Sequence, residues 1–148
     1  GHFDHIEAVA ELVRLTGAHI HIHPNDADML LSLERSLGRP GYEHVQVAAD
    51  CPLDILESAK LNVCGLDMEI IYTPGHTSGS VSYYLPEQGV LFAGDTMFYE
   101  GFGRTDLPTG SPVQLRRSLR KLYTLPLDTR VLCGHGPETT IRHEVTGQ

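Results

Sequence analysis

Histidine and aspartate residues beside glycine are the residues of this sequence whose types and spacing could bind a metal ion. The first five residues, Gly1-His2-Phe3-Asp4-His5, place three such side chains together. Clustered imidazole and carboxylate groups cost desolvation free energy, with little apolar return, unless something binds them. The alternating spacing predicts that His2 and Asp4 project the same way from an extended turn while His5 points elsewhere. We therefore expect the floor of a metal site where this turn meets a helix.

Three more ligand-type residues follow a glycine further along the chain. They occur in the pairs Gly75-His76, Gly94-Asp95 and Gly134-His135. Each pair comes at or near the end of a predicted β-strand, and glycine lets the backbone turn sharply and approach a bound ion closely. Because strand ends collect at one edge of a sheet, residues scattered through the sequence can converge there. Imidazole and carboxylate without thiolate favour a hydrolytic zinc or iron type of site over a structural zinc site.

The N-terminal third of the chain must position the first cluster. Apolar residues at helical spacing predict a helix over residues 5–15. Strict alternation predicts a strand over 18–23. Asn25 or Asp26 is expected to cap a short helix, and residues 35–52 are predicted to be loop with short regular pieces.

The rest of the chain must position the other three ligand-type residues. The predicted strands cover residues 67–72, 80–85, 90–93 and 130–133. After a glycine-rich loop, a helix is predicted over 112–123 with Ser111 as its cap, and a short helical tail ends the chain. No repeat or second-domain boundary is visible, so we expect one domain over residues 1–148.

Composition and charge exclude several classes of partner. Lys and Arg total 11 and Asp and Glu total 19, which gives a net charge of -8. This acidity disfavours nucleic acid and anionic membranes as partners, and no apolar run approaches the length of a membrane span. The three cysteines are irregularly spaced and form no CxxC pair, so neither a disulfide framework nor a zinc knuckle is predicted. We expect a soluble protein of the reducing cytoplasm.

The order of the ligand-type motifs resembles that of the metallo-β-lactamase superfamily, in which HxHxDH is followed by GHT, GD and GHG. Four longer strings are similar to its glyoxalase II-like branch, and more narrowly to short bacterial members without a C-terminal glutathione-binding helical domain. These strings are TPGHTSGS (73–80), GDTMF (94–98), GRTDLP (103–108) and GHGPETT (134–140). The resemblance covers essentially the whole sequence.

This resemblance implies an α/β fold, the αββα four-layer sandwich, with metal ions at the rim between two sheets. In the family, a further histidine and the opening strands of the first sheet come before the first motif. We therefore expect residues 1–148 to be a partial domain that lacks its N-terminal strands and that histidine.

The resemblance also implies a ligand set for two divalent metal ions. His2 and His76 hold one metal, Asp4, His5 and His135 hold the other, and Asp95 bridges both. Asp95 and Asp4 are the implied catalytic residues, because a bridging carboxylate fixes a metal separation of about 3.5–4 Å and Asp4 can orient the nucleophile. Zinc is the expected metal, with iron or manganese as alternatives.

The implied activity is hydrolysis of a small acyl thioester such as S-lactoylglutathione by a hydroxide that the metal pair activates. One alternative is an enzyme of the persulfide dioxygenase type, whose members share the Gly-Arg-Thr-Asp loop but hold a single iron. Another is an inactive fragment that needs its missing N-terminal part. In that case an unpaired sheet edge and exposed apolar surface invite association, so a homodimer is also kept as an expectation.

Several other histidines and cysteines are interpreted as structural. His19, His21 and His23 alternate on one predicted strand and span too far to bind a single ion, so we place them at a sheet edge or under a loop. Cys133 is interpreted as a buried small apolar residue that faces away from His135. The remaining four are His44 and His143, interpreted as surface residues, and Cys51 and Cys64, which have no metal-like neighbours.

The predicted helix over 112–123 carries a basic face. Its charged residues are Arg116, Arg117, Arg120 and Lys121, above the apolar residues Leu115, Leu119 and Leu122. We interpret it as a solvated face, with an anion site as the alternative. In the preceding loop, Arg104 and Asp106 are expected to form a salt bridge that fixes the loop, with Thr105 and Asp106 as potential caps. A substrate contact by Tyr99 or Arg104 is the alternative.

Overall fold

Two compact units, Gly1–Asp54 and Ile55–Gln148, make up the chain. The computed structural model describes residues 1–38, 51–52 and 58–147. The expectation of one domain over residues 1–148 stays a prediction. None of the helices in these described stretches has the length and apolar character that crossing a membrane requires.

The first unit begins with two helices rather than the single helix predicted over residues 5–15. The first helix, α1, is Phe3–Ile6 and the second, α2, is Val9–Thr16. Gly17 ends α2 in the left-handed conformation (φ 68°) and donates its N–H to the carbonyl of Val13, so the predicted stop is confirmed. Apolar residues of both helices contact a small core around Ile6, Ile20 and Leu30.

The strand predicted over residues 18–23 is reduced to β1, His21–Ile22, which pairs in parallel with β2, Cys51–Pro52. A 3-10 helix, Pro24–Leu31, follows. The prediction that Asn25 or Asp26 caps it is wrong: the cap is His23, whose Nδ1 accepts the N–H of Asn25 at 3.2 Å. Pro24 explains the shift, because its fixed φ suits the first helical position and makes the preceding residue the cap. Residues 39–50 lie outside the described part of the chain.

In the second unit, the described residues form a six-stranded mixed sheet in the order β3 to β8. The strands are β3 Ser58–Val63, β4 Leu66–Tyr72, β5 Val81–Leu85, β6 Val90–Gly94, β7 Arg130–Cys133 and β8 Thr139–Thr140. The four predicted strands are confirmed as β4 to β7, whereas β3 and β8 were not predicted. All neighbours pair antiparallel except β6 and β7, which are parallel. The carboxyl ends of β4, β6 and β7 therefore lie at the same edge of the sheet.

The parallel connection between β6 and β7 contains the helix α3, Pro112–Leu122. Ser111 caps it as predicted, since its Oγ accepts the N–H of Gln114 at 3.3 Å. Three leucines of α3 are buried against the sheet, namely Leu115, Leu119 and Leu122. The arginines of the predicted basic face are exposed, whereas Lys121 donates from Nζ to the carbonyl of Tyr72 at 2.7 Å. A short helix, α4 (Ile141–Thr146), follows β8.

Candidate metal centre

Three of the predicted ligands, His76, Asp95 and His135, lie together at the sheet edge where β4, β6 and β7 end. The Nε2 atom of His76 is 3.3 Å from Oδ2 of Asp95. The Nε2 atom of His135 is 3.5 Å from the same oxygen. Strand directions alone explain this convergence, because each residue comes within a few positions of a carboxyl end at that edge. Their role as metal ligands stays a prediction.

The other three predicted ligands belong to the first unit. His2 is buried and stands directly before α1, while Asp4 and His5 lie on its single turn. His5 Nε2 is 3.9 Å from Asp4 Oδ2. The expectation of an extended turn is wrong, because the His5 N–H donates to the His2 carbonyl (3.0 Å) and closes a helical turn. Successive residues of a helix point about 100° apart, so the two-residue alternation that would make His2 and Asp4 project the same way does not apply here.

The loop after β4 positions His76, and α3 holds this loop. Gly75 has φ +143°, and a Cβ at this position would collide with the backbone of Leu115. The N–H of Ser111 donates to the carbonyl of Gly75 at 2.8 Å. Further along α3, Ser118 Oγ donates to the carbonyl of Pro74 at 2.7 Å. Glycine is therefore required for the close approach of helix and loop, as well as for the backbone conformation.

The tautomer of His76 follows from its hydrogen bond. Its Nδ1 lies 2.8 Å from the carbonyl oxygen of Arg104. A carbonyl only accepts, so Nδ1 carries the proton and Nε2 of the neutral ring presents a lone pair. That lone pair faces the carboxylate oxygen of Asp95, and two electron-rich atoms at such a distance repel each other unless a cation or a proton lies between them. This donor set, with its ring nitrogen fixed by a carbonyl, fits a divalent metal ion.

Two further glycines leave space for Asp95. A Cβ on Gly134 would collide with Oδ1 of Asp95. A Cβ on Gly103 would collide with the carbonyl of Asp95 and would lie 3.1 Å from Nδ1 of His76. The loop that contains Gly103 therefore packs directly against the candidate site.

Buried hydroxyl groups, which the sequence analysis did not assign, connect two of the ligand loops. Thr73 Oγ1 is 3.0 Å from Ser82 Oγ. Thr96, the residue after Asp95, donates from Oγ1 to Thr73 Oγ1 at 3.2 Å. All three side chains are buried. The signal available in the sequence was the first threonine of the string TPGHT, Thr73, and the threonine of GDT, Thr96.

The predicted salt bridge in the glycine-rich loop is confirmed. Arg104 donates from Nε to Asp106 Oδ1 at 2.7 Å and from Nη2 to Oδ2 at 2.6 Å. The hydrogen bond from Arg104 lowers the pKa of Asp106 to about 2. The same hydrogen bond raises the pKa of Arg104 above its ordinary value. Thr105 and Asp106 were also potential caps, but the helix that follows this loop, α3, is capped by Ser111.

The remaining histidines and cysteines have mixed outcomes. His143 is not a plain surface residue: its ring stacks on Tyr99, with centroids 4.8 Å apart, and its side chain is 22% exposed. His23 is buried and acts as a helix cap, whereas His19 and His21 are exposed. Cys133 packs against the core but is only partly buried rather than buried, and this partial burial raises the pKa of its thiol. Cys64 is exposed, Cys51 belongs to β2, and His44 lies outside the described residues.

Comparison with known protein sequences gives a family and two informative relatives. A sequence profile of the metallo-beta-lactamase superfamily matches residues 1–135. The probable metallo-hydrolase YqgX of Bacillus subtilis is 38% identical over 146 residues, which cover 97% of this chain and 68% of that protein. A hydroxyacylglutathione hydrolase of Pseudomonas aeruginosa is 41% identical over 135 residues, which cover 90% of this chain and 44% of that protein. The chain thus spans less than half of this second relative.

Solved structures that are similar to this chain include a protein of the same superfamily. The BLEG-1 B3 metallo-beta-lactamase has a TM-score of 0.88 and 37% identity, with 97% of this chain and 70% of that chain covered. TTHA1623 in a di-iron-bound form has a TM-score of 0.79 and 35% identity, with 98% and 71% covered. ETHE1 from Myxococcus xanthus has a TM-score of 0.64 and 27% identity, with 95% and 68% covered.

Proposed function

The chain belongs to the metallo-β-lactamase superfamily, and we propose that within it this chain is the metal-binding part of a thioester hydrolase. The expected α/β metallo-β-lactamase fold is confirmed by the solved structures. Proteins of this superfamily are in general metal-dependent hydrolases. The similarity to a hydroxyacylglutathione hydrolase supports an acyl thioester such as S-lactoylglutathione as the substrate.

The observation that carries this proposal is the arrangement of two imidazoles around one carboxylate. Both Nε2 atoms, of His76 and of His135, approach the same oxygen of Asp95 within 3.5 Å. This arrangement supports the proposal that Asp95 would bridge a metal pair, as the resemblance implies. The Asp95 carboxylate is only 11% exposed, and such a largely desolvated carboxylate is costly unless positive charge compensates it.

The proposed ligand set follows the resemblance residue by residue. His2 and His76 would hold one ion, Asp4, His5 and His135 would hold the other, and Asp95 would bridge them. The metals are divalent, with zinc proposed first. Iron is the alternative, supported by the di-iron-bound form of the similar TTHA1623.

The protein residues have distinct roles in the proposed hydrolysis. When bound, the divalent metals lower the pKa of a coordinated water towards 7 and polarise the substrate carbonyl. Asp4 accepts a hydrogen bond from the attacking water and orients it. In the net reaction the water oxygen would bond to the acyl carbon, the carbon–sulfur bond would break, and a proton from the water would go to the departing thiolate. The hydrogen bond from Nδ1 of His76 to the carbonyl of Arg104 keeps its other ring nitrogen directed at the site.

Elemental analysis of the purified chain tests the proposal, together with Asp95→Ala and the matched control Asp67→Ala. Asp67 accepts from Asn62 Nδ2 at 2.7 Å in an exposed pair of the β3–β4 hairpin, at the amino-terminal end of β4, whereas His76 follows the other end of that strand. We expect close to two metal ions per chain in the parent and the control, and loss of both in Asp95→Ala. Thiol release from S-lactoylglutathione should follow the metal content. An absence of metal after reconstitution would refute the proposal for this chain.

A persulfide dioxygenase is the second candidate, because the string Gly103-Arg104-Thr105-Asp106 is shared with that branch. This activity would need one iron per chain rather than two metals. Oxygen consumption with a persulfide substrate, together with a single bound iron, would place it first. Metal stoichiometry therefore separates the two candidates before any substrate is tested.

A further inference from the structure

A tight turn, the 98–101 turn, follows the candidate ligand Asp95 in the sequence. Phe98 and Gly101 close it with two backbone hydrogen bonds, of 2.9 and 3.3 Å. Within it, Glu100 has φ +52°, a left-handed conformation that non-glycine residues other than Asn and Asp seldom adopt. Such a conformation persists when surrounding contacts hold it.

The contact that holds the turn comes from α4. Oε1 of Glu144 accepts the backbone N–H of Glu100 at 3.2 Å. The same oxygen accepts the hydroxyl of Thr139 at 2.6 Å. Thr139 lies on β8 and pairs with Val131 of β7. One carboxylate oxygen thus connects the strained turn with the strand next to the one that precedes His135.

His143 of α4 makes further contacts with the 98–101 turn. The ring of His143 stacks on the ring of Tyr99 at an interplanar angle of 14°. Its Nε2 lies 3.2 Å from Oε1 of Glu100. Two consecutive residues of α4 therefore hold two consecutive residues of the 98–101 turn.

The other side of the turn faces the candidate metal site. The ring of Phe98 packs edge-on against the ring of His135, with centroids 6.0 Å apart and an interplanar angle of 70°. The side chain of His135 is 52% exposed, so burial alone does not define its rotamer. An aromatic edge contact restricts which way its Nε2 points.

We propose that Glu144 is a positioning residue for His135. Glu144 holds the left-handed Glu100, the turn then holds Phe98, and Phe98 orients the imidazole of His135 towards Asp95. The inference rests on the proposed function insofar as it takes His135 to be a metal ligand. The orientation of the ring is a property of the metal-free chain, so it can be measured separately. Residues that orient metal ligands typically change metal affinity by about 10- to 100-fold when they are removed.

The test compares Glu144→Ala, Glu144→Gln and the control Glu138→Ala. Glu138 has its carboxylate in an exposed pair with Arg130 at 2.7 Å, on the same segment after His135. In the metal-free protein, nuclear Overhauser contacts between the Phe98 and His135 rings report the orientation. We expect these contacts to be lost in Glu144→Ala and kept in Glu138→Ala. Glu144→Gln should keep them, because its amide oxygen accepts from the same two donors.

Metal affinity, measured by competition with a chelator, is the second readout. We expect a loss of about tenfold in Glu144→Ala and little change in the other two variants. Unchanged ring contacts in Glu144→Ala would overturn the proposal, as would equal losses in Glu144→Gln, which would indicate a charge effect. If Glu144→Ala does not fold, Phe98→Leu tests the last step: a metal affinity equal to that of the parent in that variant would also overturn the proposal. A failure to bind any metal, with the ring contacts behaving as expected, would count against the proposed function alone.

Discussion

Gly134 illustrates how a residue without a side chain can define a metal site. A Cβ at this position would collide with Oδ1 of Asp95. We expect Gly134→Ala to displace the carboxylate and lower metal affinity about tenfold or more, by analogy with other changes next to ligands. Chelator competition measures the effect.

Gly136→Ala is the matched control for that substitution. Gly136 has φ +77° and no atom within 4 Å of a Cβ built there. We expect it to lower the free energy of unfolding by about 1 kcal/mol through backbone strain alone, while metal affinity stays close to that of the parent. Equal metal affinity in the two variants would contradict the assignment of Gly134.

The Arg104–Asp106 pair predicts a pH dependence. The folded pKa of Asp106, about 2, is below its ordinary value of 3.8. The pair therefore contributes stability above the unfolded pKa, and this contribution is lost as the pH falls through about 2. We expect an NMR titration of the Asp106 carboxyl to show this low midpoint. In Arg104→Leu, the midpoint should rise towards 3.8, and an unchanged midpoint would mean that another group causes the shift.

At the scale of single elements, the β3–β4 hairpin offers a stability test. Its two turn residues, Cys64 and Gly65, have φ 53° and 81°. Two positive φ values are the mark of a type I′ turn, for which Asn-Gly is strongly preferred. We expect Cys64→Asn to raise the free energy of unfolding by about 0.5–1 kcal/mol, since asparagine tolerates this conformation.

Gly65→Ala should have the opposite effect in the same turn. No atom lies within 4 Å of a Cβ at Gly65, so the cost is the backbone strain of about 1 kcal/mol. Urea unfolding midpoints measure both variants, and an unchanged m-value would confirm that only stability has changed. A destabilised Cys64→Asn variant would mean that the thiol makes a contact that asparagine cannot replace.

The elements differ in how well the sequence predicted them. Strands β4 to β7 and helix α3 were predictable, because apolar periodicity and a Ser-Pro cap are local signals. Strand β3 was not predicted, although Ala59, Leu61 and Val63 alternate with polar residues along it. It lies at the end of the described sheet, where pairing with β4 stabilises it. The predicted caps of the 3-10 helix, Asn25 and Asp26, lie two and three residues after the observed cap His23, because Pro24 takes the first helical position.

The residues of the candidate site also differ in how well the sequence predicted them. His76, Asp95 and His135 were recognisable because glycine precedes each ligand-type residue at or near a strand end. Glu144 was not, because its partner Glu100 is distant in the sequence and contributes only its backbone N–H. Long-range hydrogen bonds to backbone groups leave no trace in residue types, so sequence reasoning finds ligands more readily than the residues that orient them.

For the molecule as a whole, metal removal should lower thermal stability. A ligand that binds only the folded state stabilises it by mass action, by about 2.7 kcal/mol at a free concentration 100 times its dissociation constant. We expect a chelator to lower Tm clearly in the parent chain and hardly at all in Asp95→Ala. Differential scanning calorimetry measures the difference. Equal Tm values with and without metal in the parent would argue against metal binding by the folded chain.

The parallel pairing of β6 with β7 has a consequence for the order of folding. Strands β3 to β6 pair with their sequence neighbours as antiparallel hairpins, whereas pairing of Gly94 with Cys133 must close a much longer loop that includes α3. Loop-closure entropy makes such non-local pairing slow relative to hairpins. Hydrogen-exchange labelling during refolding should therefore protect β4 and β5 before β7. Because His135 follows β7, we expect this proposed ligand to reach its place only after β4 and β5 have paired, so metal binding should stabilise chains in which β7 has joined the sheet.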